Sequence, residues 1–152
     1  MENIEMKIGA ETLRIWLEEK QPVFVLDVRP KEQREEWQIP GSFYLDAYKR
    51  LNSGDPSVLD EISIPKNTKV VTVCAAGRTS EIAASELRKR GIEAYSLEDG
   101  MKGWSLAWNT AYKKFGEFEV WQVRRTGKGC LSYIITSNND AIIIDASLPL
   151  GV

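Results

Sequence analysis

Cys74 is the residue of this sequence best placed to do chemistry. It ends an apolar run, KVVTV at 69–73, and is followed by Ala75, Ala76 and Gly77, which carry little or no side chain. A helical pattern then opens at Thr79 and runs to Arg90. A backbone freed of bulk can curl so that its N–H groups converge, and a helix start adds roughly half a positive charge, which makes an anion site. A cysteine at the base of that site has its thiolate favoured, and the thiolate is the nucleophilic form. The bland alternative is that a cysteine ending an apolar strand is a small buried hydrophobe. The small residues behind Cys74 tilt the reading toward chemistry. Arg78 reads either as part of the anion site or as a solvated surface charge.

Composition narrows what that cysteine can do. Histidine is absent from all 152 residues, which excludes a Ser-His-Asp or Cys-His pair and any histidine-dependent metal site within this chain. Cys74 and Cys130 are the only cysteines, too few for a thiolate zinc cluster or a secreted disulfide framework. The expectation is a catalyst without an imidazole base, metal or cofactor. Net charge is −2 with the signs mixed along the chain, so no nucleic-acid partner is expected. The longest purely apolar runs are a few residues, so no membrane span is expected either. The start, MENIEMKIGAETL, lacks the basic and apolar stretches of a signal peptide, and a cytoplasmic protein is expected.

The elements that must position Cys74 alternate between strand and helix patterns, which predicts an α/β domain around a mostly parallel sheet. Helical spacing of Leu13, Trp16 and Leu17 marks 10–19, and VFVLDV at 23–28 reads as a buried strand. Pro30 opens a charged turn of helix at 30–37. The pattern at 79–90 turns Ile82, Ala83 and Leu87 inward and ends on Arg88, Lys89, Arg90 and Gly91, as dipole and C-cap rules favour. A third short strand falls at 94–97, and a last amphipathic turn or two at 101–108. The domain is placed at 1–110 and a polar linker at 111–117. A β extension at 118–152 contains three strand-like runs, FEVWQV, CLSYIIT and AIIID, with a hairpin turn at Asn138-Asn139-Asp140.

Three stretches carry a family resemblance. CAAGRTS, 74–80, resembles the active-site loop of the rhodanese-homology family. LDVRPKEQREEWQIPGS, 26–42, resembles its first signature, and LEDGMKGW, 97–104, its second, with Gly100 and Trp104 in place. The resemblance implies a central, mostly parallel five-stranded sheet flanked by helices. It also implies a sulfurtransferase in which Cys74 carries a sulfane sulfur as a persulfide, taken from thiosulfate, a polysulfide or a small persulfide and passed to a thiol acceptor. Ala75, Ala76, Gly77, Arg78, Thr79 and Ser80 would then form the substrate-binding loop. Asp27 and Arg29 read as an ion pair or capping interaction that holds the loops, and Trp37, Trp104 and Trp108 as packing residues.

The sequence departs from the family pattern at Thr79, where single-domain sulfurtransferases frequently carry arginine, and at Gln38, often histidine. A phosphatase of this fold would need arginine at the position of Ser80, which ranks that reading low. Arsenate reduction, a regulatory module and a dedicated sulfur carrier are the remaining alternatives. The segment VWQVRRTGKGCLSYIITSNNDAIIIDAS, 120–147, resembles the opening hairpin of the metallo-β-lactamase fold, as in fusions of that domain with a rhodanese domain. The alternative is an added hairpin or dimerisation arm, with a homodimer formed through the C-terminal strands. Cys130, at the start of a strand, reads as structural.

Overall fold

A computed structural model describes residues 6–146. They fall into two compact units divided between Trp104 and Ser105.

The first unit is a five-stranded parallel sheet with helices packed on it. In chain order its elements are β1 (Lys7–Ile8), α1 (Ala10–Glu18), β2 (Val23–Asp27), α2 (Lys31–Glu36), β3 (Phe43–Tyr44), α3 (Tyr48–Asn52), a 3-10 turn (Pro56–Glu61), β4 (Lys69–Val73), α4 (Arg78–Lys89), β5 (Ala94–Leu97) and α5 (Gly100–Trp104). The strand order is β1-β5-β4-β2-β3. β4 therefore lies at the centre, pairing Val25 with Val71 on one side and Val71 with Tyr95 on the other. A strand flanked on both edges and covered on both faces is apolar on both parities, which is why KVVTV reads as a run rather than an alternation, broken inside only by Thr72.

The two-residue period of the strands divides the core. Phe24, Leu26, Val28 and Val70 pack with Ala47 and Leu51 near α3, Val58 and Leu59 of the 3-10 turn, and Ala83, Ala84 and Leu87 of α4. Cys74 continues the period of Val70 and belongs to the same cluster, so its side chain turns toward the α4 side of the sheet. Val25, Val71 and Val73 are buried on the opposite parity. The expected final helix, 101–108, is shorter than its pattern: α5 ends at Trp104, which is buried.

The second unit corrects the expected linker. Residues 109–115 form a strand, β6 (Asn109–Phe115), joined by Gly116-Glu117 to β7 (Phe118–Arg125), and β8 (Cys130–Ser137) and β9 (Asp140–Ile144) complete an antiparallel sheet ordered β6-β7-β8-β9. The extension therefore has four strands rather than three. β6 is mostly exposed on both faces, so it carries no hydrophobic period to read. Its partner defines it, through the directly opposed rings of Tyr112 and Trp121, 4.6 Å apart. Asn138-Asn139 forms the loop between paired Ser137 and Asp140, as the sequence predicts. Cys130, expected to be structural, is an exposed thiol.

Candidate active site

Cys74 leaves the C-terminal end of the central strand and is 3% exposed. Three residues later Gly77 takes φ +92°, a conformation that side chains other than glycine's rarely adopt, and α4 begins at Arg78. This reversal brings the Gly77 N–H back to 3.2 Å from Cys74 Sγ, to which it donates. Behind the sulfur, Ser80 Oγ lies 3.3 Å away.

The loop is held open from its other side. Met101 N–H donates to the Cys74 carbonyl (2.8 Å) and Lys102 N–H to the Ala75 carbonyl (3.1 Å). In a trans peptide the C=O and N–H of one plane point in opposite directions. Tying those two carbonyls to the start of α5 therefore aims the N–H groups of Ala75 and Ala76 the other way. Gly100 permits the approach: a Cβ at that position would lie 2.1 Å from the Cys74 oxygen and 2.9 Å from the Gly77 nitrogen. The segment LEDGMKGW thus holds the loop through backbone hydrogen bonds.

The remaining loop residues separate by face. Ala75, Ala76 and Arg78 are exposed, and Arg78 borders a cleft of about 260 Å³ that also includes Ala76 and Gly77. Thr79 and Ser80 are buried in the first turn of α4. The Thr79 hydroxyl accepts from Asn52 Nδ2 at 3.0 Å, and Thr72 Oγ1 donates to the Ser80 carbonyl at 2.7 Å. Sequence reasoning missed Asn52, Thr72 and Ser96. A polar residue inside the otherwise apolar strands KVVTV and AYSL was the available signal for the last two.

Asp27 ends β2, the strand next to β4, and Arg29 follows it; the two are 1% and 2% exposed. Arg29 donates to Asp27 through Nε (3.0 Å) and Nη2 (2.7 Å), a two-pronged pair, and through its backbone N–H (3.1 Å), and Arg34 Nη1 adds a fourth contact at 3.1 Å. The Arg29 fork also reaches the carbonyls of Gln33 (3.1 Å), midway along α2, and Trp37 (2.8 Å), at its C-terminal cap. Asp27 and Arg29 touch each other and α2 rather than the sulfur. Asp27→Asn is expected to cost about 2–3 kcal/mol of stability, because each carboxylate oxygen accepts from two N–H groups and two of them would face an amide donor. Urea unfolding checks it; an unchanged midpoint would mean that the charge of Asp27 is not needed.

Among the described residues no group of three or more His, Cys, Asp or Glu is arranged to hold a metal ion, and no helix is long and apolar enough to cross a membrane.

A parallel sheet that presents a nearly buried thiol at the end of its central strand, in a small-residue loop opening a helix, defines an α/β domain organised around one cysteine. Residues 10–107 match the rhodanese-like domain family, and the chain belongs to it. A thiosulfate sulfurtransferase (GlpE) of Pseudoalteromonas translucida is 31% identical over 101 residues, covering 66% of this chain and 88% of that protein. The adenylyltransferase and sulfurtransferase UBA4 of Lodderomyces elongisporus is 30% identical over 95 residues, 60% of this chain and 21% of the relative. Across the first three curated relatives the match spans half of their length or less. The crystal structure of a rhodanese-like domain protein from Staphylococcus aureus superposes with a TM-score of 0.52 at 28% identity, covering 64% of this chain and 89% of that one. Sulfurtransferases thus recur among the relatives, which supports that activity at the level of the family.

Proposed function

We propose that the protein is a sulfurtransferase that carries sulfane sulfur on Cys74. The observation behind this reading is the loop backbone: a Gly77 N–H on the sulfur, with the Cys74 and Ala75 carbonyls tied away from it. Such donors stabilise an anionic sulfur without a general base, which suits a chain that lacks histidine. In the first half, the Cys74 thiolate attacks the outer sulfur of thiosulfate. A new S–S bond forms, the thiosulfate S–S bond breaks, and sulfite leaves with the bonding electrons. A polysulfide or small persulfide would react in the same way, releasing the shorter polysulfide or the thiolate. In the second half an acceptor thiolate, or cyanide in an assay, attacks the outer sulfur and Cys74 leaves as thiolate. Ala75, Ala76, Gly77 and Arg78 form the receiving side for the donor anion, while Thr79 and Ser80 support the loop from beneath. A cytoplasmic setting, where thiols stay reduced, suits this cycle. The test is intact-mass spectrometry after incubation with thiosulfate or glutathione persulfide. A gain of one sulfur that cyanide removes supports the proposal, and no gain with any donor on folded protein defeats it.

A second reading concerns the extension. Residues 109–144 build an antiparallel sheet that lies beyond the family match at 10–107, and the resemblance of 120–147 to the opening of a metallo-β-lactamase fold favours a sulfur carrier working with a persulfide-oxidising partner of that type. The same sheet supports self-association. Its outer strand β9 exposes Ile142, Ile143 and Ile144, whereas the opposite edge, β6, is charged by Lys113 and Lys114. Between Asp140 and Asp145 this edge is uncharged, and the run 141–144 can pair with itself antiparallel about a two-fold axis, so a second copy is the proposed occupant of β9. Sedimentation should show dimer growing with concentration and Ile143→Lys should abolish it; a monomer at every concentration would refute the pairing.

A further inference from the structure

Two hydroxyls lie behind the thiol, and the cycle above gives them no part in the chemistry. Ser80, fully buried in the first turn of α4, places its Oγ 3.3 Å from Cys74 Sγ, 3.0 Å from the Gly77 carbonyl and 2.9 Å from Ser96 Oγ. Ser96, 1% exposed on β5, lies 3.4 Å from the same carbonyl. The Thr72 hydroxyl, donating to the Ser80 carbonyl, fixes the turn from which Ser80 reaches inward.

With Ser96 as the donor to Ser80, proton counting gives this cluster two arrangements. Each serine has one proton to give and can accept others. Ser96 can donate to Ser80 Oγ, which leaves the Ser80 proton for one of two acceptors, Sγ or the Gly77 oxygen. A buried hydroxyl without an acceptor is costly, so it takes whichever acceptor is more negative and keeps the other in reserve.

We infer that Ser80 is a positioning residue whose hydroxyl follows the charge on Cys74, with Ser96 holding it in both positions. When Sγ is a thiolate, Ser80 donates to it and joins the Gly77 N–H as a second donor. When Sγ is neutral, as a thiol or as the inner sulfur of a persulfide, the hydroxyl turns to the Gly77 carbonyl. Neither serine gives up its proton; only the direction of one O–H changes. The persulfide half of this inference rests on the proposed sulfur transfer, and the thiolate half does not. The arrangement helps at both ends of the cycle, because a stabilised thiolate forms more readily at neutral pH and leaves more readily from the persulfide.

The titratable side chains around the site are Arg78 and Glu81 of α4, Lys7 of β1 (3.1 Å from Glu81), Glu98, Asp99 and Lys102 around α5, and Asp27, Arg29 and Arg34 beyond β2.

The experiment is the pH dependence of Cys74 alkylation by iodoacetamide, in a Cys130→Ser background that removes the exposed thiol. Ser80→Ala should move the profile upward by about one to two pH units. Ser96→Ala should move it the same way by less, and it stands in if Ser80→Ala does not fold. A profile unmoved in a variant with parental melting would overturn the inference. Sulfur loading of the parent, read by mass, reports separately on the sulfurtransferase reading: a shifted profile with no loading would leave the hydroxyl arrangement standing and remove the transfer reaction.

Discussion

Cys74→Ser is expected to take up no sulfur from thiosulfate or glutathione persulfide and to lose sulfur transfer by about three orders of magnitude or more, the scale seen when a covalent nucleophile is removed. The substitution leaves shape and burial nearly unchanged, so the protein should melt close to the parent. What changes is the attacking atom, because a serine hydroxyl in the same loop stays protonated at neutral pH and is a poor nucleophile toward sulfur. Cys130→Ser should retain full uptake, since Cys130 lies exposed in the second unit, outside the loop that cradles Cys74. Both variants are read by intact mass and by thiocyanate formation. A sulfur adduct on the Cys74→Ser protein would place the chemistry on Cys130 and undo the assignment.

Gly100→Ala should damage both stability and activity through a residue that presents no side chain to the sulfur. Its Cβ would lie 2.1 Å from the Cys74 oxygen and 2.9 Å from both the Cys74 carbonyl carbon and the Gly77 nitrogen, all of them backbone atoms that no rotamer change can move. Gly100 also sits at φ +52°, so alanine would carry conformational strain in addition to the clash. Together these should cost about 3 kcal/mol or more and lower the melting temperature by about 10 °C or more. Relief of the clash would push the Cys74 carbonyl off Met101 N–H and turn the loop amides, and an error near 1 Å in such a site costs about 10²-fold in rate. Gly9→Ala is the control, because its φ is −72° and a Cβ there meets nothing within 4 Å. Parental melting and sulfur uptake in Gly100→Ala would show that the loop is not pressed against α5.

Much of the first unit was legible because its signals are local. The run 69–73, the helix after Gly77 and the terminating Gly91 each announce themselves within a few residues. The short pieces did not: β1 and β3 are two residues each and α3 is five, too brief for any period to register. β6 escaped for a different reason, since a strand exposed on both faces looks like a polar linker until its partner is known. At the site, the position of Cys74 could be read from small residues and a helix start. The contacts that shape its surroundings could not. Ser96 is 22 residues downstream in another strand, and the carbonyls of Cys74 and Ala75 are caught by N–H groups whose sequence gives no sign of their targets.

That capture has a consequence for when the site comes into being. A nascent chain that ends before residue 100 already contains the thiol, its glycine turn and both serines, yet nothing holds the Cys74 and Ala75 carbonyls. The cradle matures only when α5 docks, a step joining residues about 27 apart, and it is lost whenever that short helix lifts away. Local opening of a single turn and a half at the end of the first unit would silence the cysteine while the sheet beneath it remained folded.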